Sequence, residues 1–352
     1  MFGAVVVVAA GAIVWSVTGS KSSDRATGGP TLASEALPAG GLAGPADRFV
    51  LFRNTHLDRE YGKVALVSAA KPDGPRAFSG LDCDRAAYAG GKGLCLIRPR
   101  RSPIVESEAI VFDAGFHQLH SSTLAGYPSR AQVSPSGRFG SVTTFVNGDS
   151  YATLGQFSTR TEIIDLGSGT VVFDLEKLSV HKDGSSIQQT DFNYWGVTFA
   201  ADDDTFYATL GTGNQTYLIK GSIAAKSAEV LRPGVECPSL SPDGTRIAFK
   251  QRQPGSTVTW KLAVLDLATL KDHPLAETRN VDDQAAWLDD TTVLYGLASD
   301  AAKEASLNAD QPGLSALTRG GTLATDTWRV PADGSGTPTT FLVGSWSGAP
   351  AR

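Results

Sequence analysis

The sequence predicts an all-β chain folded as a ring of four-stranded antiparallel sheets. Three observations carry this expectation. From Phe49 onward, short β-branched and aromatic runs alternate with turn residues, with strand-length spacing throughout. One strand–turn–strand pattern recurs along that region. The two ends of the region read as complementary parts of one further unit.

The chain opens on Phe2–Val17, which reads FGAVVVVAAGAIVWSV, and its first charge is Lys21. A run of this length lies between a signal-peptide core and a short membrane span. Residues 1–19 are therefore expected to be an apolar helix that directs or anchors the chain, with cleavage left open. A buried strand or helix of the domain is the alternative. Residues 20–47 are rich in Gly, Ser, Ala, Thr and Pro and show no periodic apolar face. Such a stretch cannot bury enough surface to offset its ordering entropy, and it reads as a flexible linker. Residues 48–352 form the folded domain.

The hairpin pattern is clearest at Pro238–Phe249, with further copies at Gln132–Phe139, Ala286–Tyr295 and Thr198–Tyr207 and a degraded one at Ala87–Cys95. Pro sets φ, Asp or Ser bonds locally, and Gly takes positive φ, which is hairpin chemistry. A third strand with an apolar–Asp–apolar centre follows, as in Val111–Ala114, Ile163–Leu166 and Val264–Leu267; Tyr217–Lys220 and Thr327–Val330 are looser versions. A short outer strand such as Thr170–Phe173 or Thr339–Leu342 ends the unit. Four strands in roughly 40–50 residues is the arithmetic of a propeller blade. Residues 49–80 supply Phe49–Arg53, Lys63–Ser68 and Arg76–Phe78, a blade without its inner strand, and Ser345–Arg352 resembles the missing strand. Pairing the two ends closes a six-bladed β-propeller and removes exposed sheet edges. The only stretch of the domain with helical period lies near Asp300–Leu307.

Ser241-Pro242-Asp243-Gly244-Thr245-Arg246-Ile247-Ala248-Phe249 resembles the S-P-D-G-x-x-[IL]-[AV]-[FY] core of the TolB-like six-bladed propellers, and Ser134–Gly137 is a second, imperfect match. The resemblance covers residues 49–352 as a repeat architecture. It implies an extracytoplasmic scaffold that binds protein or cell-envelope partners. The partner-binding N-terminal domain of that family has no counterpart here, where the linker stands in its place.

Composition excludes some classes. Hydrophobic residues make 41% and charged residues 19% of the chain, as in a folded domain, and a net charge of −5 with no basic stripe gives no reason to expect nucleic acid. Cys83 and Cys95 are a reasonable disulfide pair in an oxidising compartment; three buried free thiols, Cys237 among them, is the alternative.

Loop length points to a site. In a propeller the first-to-second and third-to-fourth turns share one face, and here they are short. The other connections share the opposite face, where His56–Gly62, Arg98–Ser107, Asn147–Thr159, Glu176–Thr190, Gln251–Thr257 and Ala298–Thr325 are long. Long loops on a rigid scaffold carry function. The candidate binding residues on that face are Arg59, Tyr61, Arg100, Arg101, Asp149, Tyr151, Arg160 and Trp195, with ordinary solvated loop residues as the plain alternative.

No catalytic residue, metal site or cofactor is expected. Gly344–Gly348 has Trp at the nucleophile position of an elbow, and no P-loop or dinucleotide fingerprint occurs. His117 and His120 are three apart on a strand and face opposite ways. Asp202–Asp204 lines up with the hairpin turns, and Asp113, Asp165 and Asp266 recur at one blade position. The expected function is non-catalytic binding by a membrane-tethered, extracytoplasmic propeller. Two alternatives stand beside it: a lyase- or lactonase-like enzyme using the central channel, and a carbohydrate-binding sensor module. The channel enzyme calls for convergent charges on the inner strands, which read mostly as Ser, Ala, Val, Leu, Gln and Trp.

Overall fold

The structure is a computed structural model that describes residues 32–44, 48–56, 58–98, 107–146, 158–255, 258–299 and 324–352. The apolar segment 1–19 and the helical-period stretch near Asp300–Leu307 lie outside the described residues. Among the described residues, no helix is long and apolar enough to cross a membrane.

A two-residue strand, β1 (Ser34–Glu35), leads into β2 (Phe49–Asn54), β3 (Lys63–Ser68) and β4 (Arg76–Asp82). Next come β5 (Arg85–Ala89), β6 (Lys92–Ile97), β7 (Ser107–Asp113) and β8 (Gln118–Leu124), followed by β9 (Tyr127–Val133), β10 (Phe139–Phe145), β11 (Thr159–Asp165) and β12 (Thr170–Asp174). A hairpin of β13 (Ser179–Lys182) and β14 (Ser185–Ile187) precedes β15 (Asn193–Phe199), β16 (Thr205–Thr212), β17 (Gln215–Ser222) and β18 (Ser227–Pro233). The remaining strands are β19 (Glu236–Leu240), β20 (Arg246–Arg252), β21 (Trp260–Asp266), β22 (Asp272–Pro274), β23 (Ala286–Asp289), β24 (Thr292–Ala298), β25 (Thr325–Pro331), β26 (Thr339–Leu342) and β27 (Ser345–Pro350).

These strands form six sheets. Blades two to six each read inner to outer in chain order, and the fourth gains β13 and β14 beyond β18. The first blade runs β27-β2-β3-β4-β1, so the C-terminal strand is its innermost member. β27 pairs antiparallel with β2, matching Val50 to Pro350 and Asn54 to Ser345. The chain is thus a six-bladed propeller of four-stranded antiparallel blades, closed by its N- and C-terminal strands as the sequence predicts.

The apolar pattern follows from this architecture. Each sheet is packed on both faces, so central strands are continuous apolar runs, such as Leu94-Cys95-Leu96 and Ile247-Ala248-Phe249, all fully buried. The core is divided among the blade interfaces. Phe139, Ile163 and Phe173 meet Tyr194, Val197 and Phe206 between the third and fourth blades. Leu262 and Val264 meet Trp287, Val293 and Tyr295 between the fifth and sixth. Val50, Phe52 and Val67 meet Leu294, Phe341 and Leu342 where the ring closes.

Two expectations are corrected. The linker expected over 20–47 is docked along 32–44. β1 pairs in parallel with the start of β4, the Leu42 amide donates to the Ala114 carbonyl at 2.8 Å, and Leu42 is 7% exposed in the core shared by the first two blades. Two leucines, Leu37 and Leu42, supply the apolar anchorage that the small-residue composition conceals. The long connection Glu176–Thr190 is not an open loop. It holds the β13–β14 hairpin, which adds to the fourth blade through β13 and β18. Its tip, Asp183-Gly184, takes φ of 53° and 77°, the turn that Asp-Gly favours.

Candidate functional site

Each inner strand begins at the face carrying the second-to-third and fourth-to-first connections, which is the long-loop face, and runs toward the short turns. The six inner strands, β5, β9, β15, β19, β23 and β27, contact one another around the axis. Their first residues therefore ring the channel at its long-loop end.

That end holds charge. Arg85 opens β5, Arg130 lies on β9, Glu236 opens β19, and Asp283 precedes β23. Lys250 comes from the neighbouring strand β20. Glu236 and Lys250 are fully buried, Asp283 is 1% exposed and Arg130 6%. Buried charges persist only when paired or hydrogen-bonded. Glu236 accepts from Arg252 Nε at 2.8 Å and from Trp260 Nε1 at 3.0 Å. Lys250 Nζ donates to Asp282 at 2.6 Å and sits 4.2 Å from the Trp260 ring centre.

The other half of the cluster is arranged differently. Arg85 Nε donates to the Ser129 carbonyl at 2.6 Å, and Arg130 Nη1 donates to that same carbonyl at 2.9 Å. Arg85 Nη1 donates to Ser347 Oγ at 3.0 Å. Ser347 Oγ in turn donates to Asp283 Oδ1 at 3.4 Å, and the Gly296 amide donates to Asp283 Oδ2 at 3.1 Å. Burial, with Arg130 alongside, pulls the Arg85 guanidinium down to about 10. Burial also raises the Asp283 carboxyl above its ordinary range against the opposing pull of Arg85, Arg130 and Lys250.

Backbone conformation marks the same ring. Gly196, Cys237 and Ser347 take φ of 65°, 49° and 51°. Each falls within a register shift between an inner strand and its neighbour. A bulge of this kind re-aims side chains, and left-handed φ at Cys237 and Ser347 costs about 1 kcal/mol or more each. At Gly196 only glycine fits, because a Cβ there would lie 2.6 Å from Cys237 Cα.

The sequence-predicted site residues that are described, Arg59, Tyr61, Arg160 and Trp195, do not come together. Arg59 is exposed and pairs with Glu60 at 3.0 Å. Tyr61 is 7% exposed and packs beneath the Arg53 guanidinium at 5.1 Å. Arg160 bridges Glu162 and Asp174 at 2.9 and 3.2 Å on the flank of the third blade. Trp195 is a correction. It is 2% exposed and packs with Cys237 and Trp260 inside the ring, because its inner strand turns the indole toward the next blade. Arg100, Arg101, Asp149 and Tyr151 lie outside the described residues. The channel charges escaped sequence reading because Arg85, Asp283 and Glu236 sit at or just before the starts of inner strands, outside the repeated hairpin.

Other singled-out residues serve local structure. Cys83 and Cys95 are disulfide-bonded with Cα atoms 5.5 Å apart, and Cys237 is free and buried. The Asp202 carboxylate accepts from the Asp204 and Thr205 amides, and Asp204 accepts from the Ala224 amide. His117 Nδ1 meets Asp113 at 3.1 Å, while His120 Nε2 donates to the Gly167 carbonyl at 2.9 Å.

No family model matches the chain, and no curated protein matches it. Solved structures do. TolB from Acinetobacter baumannii is similar at 15% identity and a TM-score of 0.52, covering 87% of this chain and 68% of TolB. The nidogen/laminin complex contains a chain similar at 10% identity and a TM-score of 0.52, covering 86% of this chain and 98% of that one. At these identities the likeness is one of fold: the chain is a six-bladed β-propeller similar in fold to TolB.

Proposed function

We propose that the protein is a non-catalytic binding propeller that engages a protein or cell-envelope ligand across its long-loop face, centred on the channel mouth. The observation that carries this is convergence. Arg85, Arg130, Glu236 and Asp283 come from four blades to the end of the channel from which the longest connections spring. Tyr and Arg near such a centre are the side chains that anchor interfaces. The Cys83–Cys95 bond supports an oxidising, extracytoplasmic location, and the apolar segment 1–19 supports a membrane tether.

The test is photo-crosslinking of the full chain in intact cells. Arg59→Glu with Arg98→Glu reverses charge on the long-loop face, and Arg138→Glu with Lys226→Glu reverses it on the short-turn face. Capture of the crosslinked partner is expected to fall several-fold for the first pair and to stay unchanged for the second. Equal losses refute the reading. The same cluster favours a second reading, a channel enzyme in which Asp283 acts as a general base. Turnover abolished by Asp283→Asn identifies the second reading, whereas capture lost on the long-loop-face reversals alone identifies the first.

A further inference from the structure

We propose that the protein self-associates edge to edge, with the outer strand of the second blade, β8, pairing antiparallel with β8 of a second copy about a twofold axis. This surface lies on the rim of the ring, apart from the long-loop face, and is independent of the binding assigned to that face.

The other five outer strands show what sets β8 apart. An unpaired edge offers its N–H and C=O groups to any strand that meets it, and folded proteins blunt such edges by covering, shortening, bulging or charging them. β4 and β18, seven residues each, are met in parallel by an added strand, β1 and β13 respectively. β22 has three residues, Asp272-His273-Pro274, and carries both a charge and a proline. β12 and β26 have five and four residues, and a register shift interrupts each of them. β8 runs for seven residues, Gln118-Leu119-His120-Ser121-Ser122-Thr123-Leu124, without Lys, Arg, Asp, Glu or Pro. Its register shift falls at its start and leaves His120–Leu124 in unbroken pairing with Ser107–Val111. β8 is the last strand of its sheet, and among the described residues no main-chain bond reaches it from outside that sheet.

The sequence of this edge suits a copy of itself. With Ser122 on the axis, Ser121 of one copy stands opposite Thr123 of the other, and His120 stands opposite Leu124. All five regular residues are then paired and no like charges meet. Hydroxyl pairs of this kind across antiparallel strands are favourable. Ser121 and Thr123 are exposed, so the pairing buries no residue already packed.

The surroundings are apolar on one side of the edge. Five large apolar side chains are exposed among the described residues, and three of them are Leu119 on β8 and Val171 and Val172 on β12. The two strands are neighbours on the rim. His120 Nε2 donates to the Gly167 carbonyl at 2.9 Å, and a Cβ on Gly169 would lie 2.6 Å from His120 Cβ. A twofold axis perpendicular to the sheet keeps the third blades of both copies on the same side of the junction. Val171 and Val172 then come alongside their counterparts and add apolar contact to the main-chain pairing. One strand pair with such a patch is smaller than the roughly 800 Å² per partner of a stable interface, so the affinity is expected to be about micromolar or weaker.

Sedimentation equilibrium on the full-length protein in a density-matched detergent tests this, over about 1 to 300 μM to bracket weak affinities. A monomer–dimer equilibrium is expected. Ser121→Lys with Thr123→Lys sets Lys against Lys at both outer pairs, and is expected to weaken the dimer by about tenfold or more. Ser121→Lys with Thr123→Glu sets Lys against Glu in the same register, and is expected to restore affinity to within about threefold of the wild type, which a misfolded strand cannot do. A chain that stays monomeric throughout, a dimer indifferent to the Lys–Lys pair, or a Lys–Glu variant as weak as the Lys–Lys one overturns the proposal. A monomer whose β8 amides are all protected from hydrogen exchange also overturns it, and gives the edge to another segment of the same chain.

Discussion

Asp243 accounts for much of the clearest repeat by itself. Its carboxylate accepts from Ser241 Oγ at 2.5 Å, from the Thr245 amide and hydroxyl at 3.0 and 2.8 Å, and from Arg246 Nη2 at 3.1 Å. These bonds hold its carboxyl far below the usual carboxylate range, the Ser241 bond foremost. Asp243→Ala is expected to cost about 1 kcal/mol, the net worth of such bonds at a partly exposed turn, read as a shift in the urea midpoint at unchanged slope. Asp113 and Asp165 are likewise lowered, chiefly by backbone amides, and Asp266 chiefly by the Thr269 hydroxyl. A carboxyl lowered in the folded state contributes stability above its unfolded value and loses it as pH falls through the folded value. Stability is therefore expected to decline below about pH 4, the ordinary carboxylate range. Changing the four aspartates to Asn should flatten that decline in pH-dependent urea melts; an unaltered acid limb would contradict it. Their shared role was legible in the sequence because Asx-turn chemistry is local. The pairing of Arg85 with Arg130 was not, because residues 45 positions apart meet only once the ring has formed.

At the scale of elements, the segment ahead of the first blade behaves as a strap. Gly41 carries φ of +61°, and a Cβ on it would lie 1.9 Å from the Ala114 carbonyl. Gly41→Ala is expected to release residues 37–44 from the second blade while the ring stays folded. Hydrogen exchange at the Leu42 amide should rise by at least tenfold with little change in global melting; unchanged protection there would show the strap to be held by other contacts. The Cys83–Cys95 bond ties the connection between the first two blades to β6, and both sulfurs are inaccessible. Replacing both cysteines with Ala is expected to cost about 3 kcal/mol, the chain-entropy value for a loop near fifteen residues, measured by denaturant unfolding. The strap was illegible because composition signals entropy, and the buried area of two leucines does not register in a run of Gly, Ala and Pro. The β13–β14 hairpin was readable in principle from Asp183-Gly184 between Ser179–Lys182 and Ser185–Ile187, but its strands are too short and polar to stand out against loop.

At the scale of the whole molecule, the fold depends on one non-local seam. β27 is joined to β2 by main-chain pairing, and side chains rivet the joint from both sides. Thr327 Oγ1 and Ser345 Oγ lie 2.7 Å apart, and Thr55 Oγ1 lies 2.8 Å from Thr325 Oγ1. Arg76, 4% exposed, donates to Asn54 Oδ1 at 2.6 Å, to the Gly344 carbonyl at 3.0 Å and to the Val343 carbonyl. Burial pulls this guanidinium down to about 10, so its three acceptors offset a real desolvation cost. Deleting residues 345–352 removes the inner strand of the first blade. It strips the edge of β2 and removes Ala351 from the core that it shares with Leu51. The loss is expected to exceed about 5 kcal/mol, comparable with the whole stability of a domain, and the bare edge of β2 invites association. Calorimetry should show the main transition lowered or absent, and size-exclusion chromatography should show oligomers. A synthetic peptide of residues 343–352 added in trans is expected to restore the transition in proportion to its concentration, because binding to the folded ring alone stabilises it by mass action. A truncated chain that melts as the intact one does, or a peptide without effect on a destabilised truncation, would mean that the ring is not held by this strand.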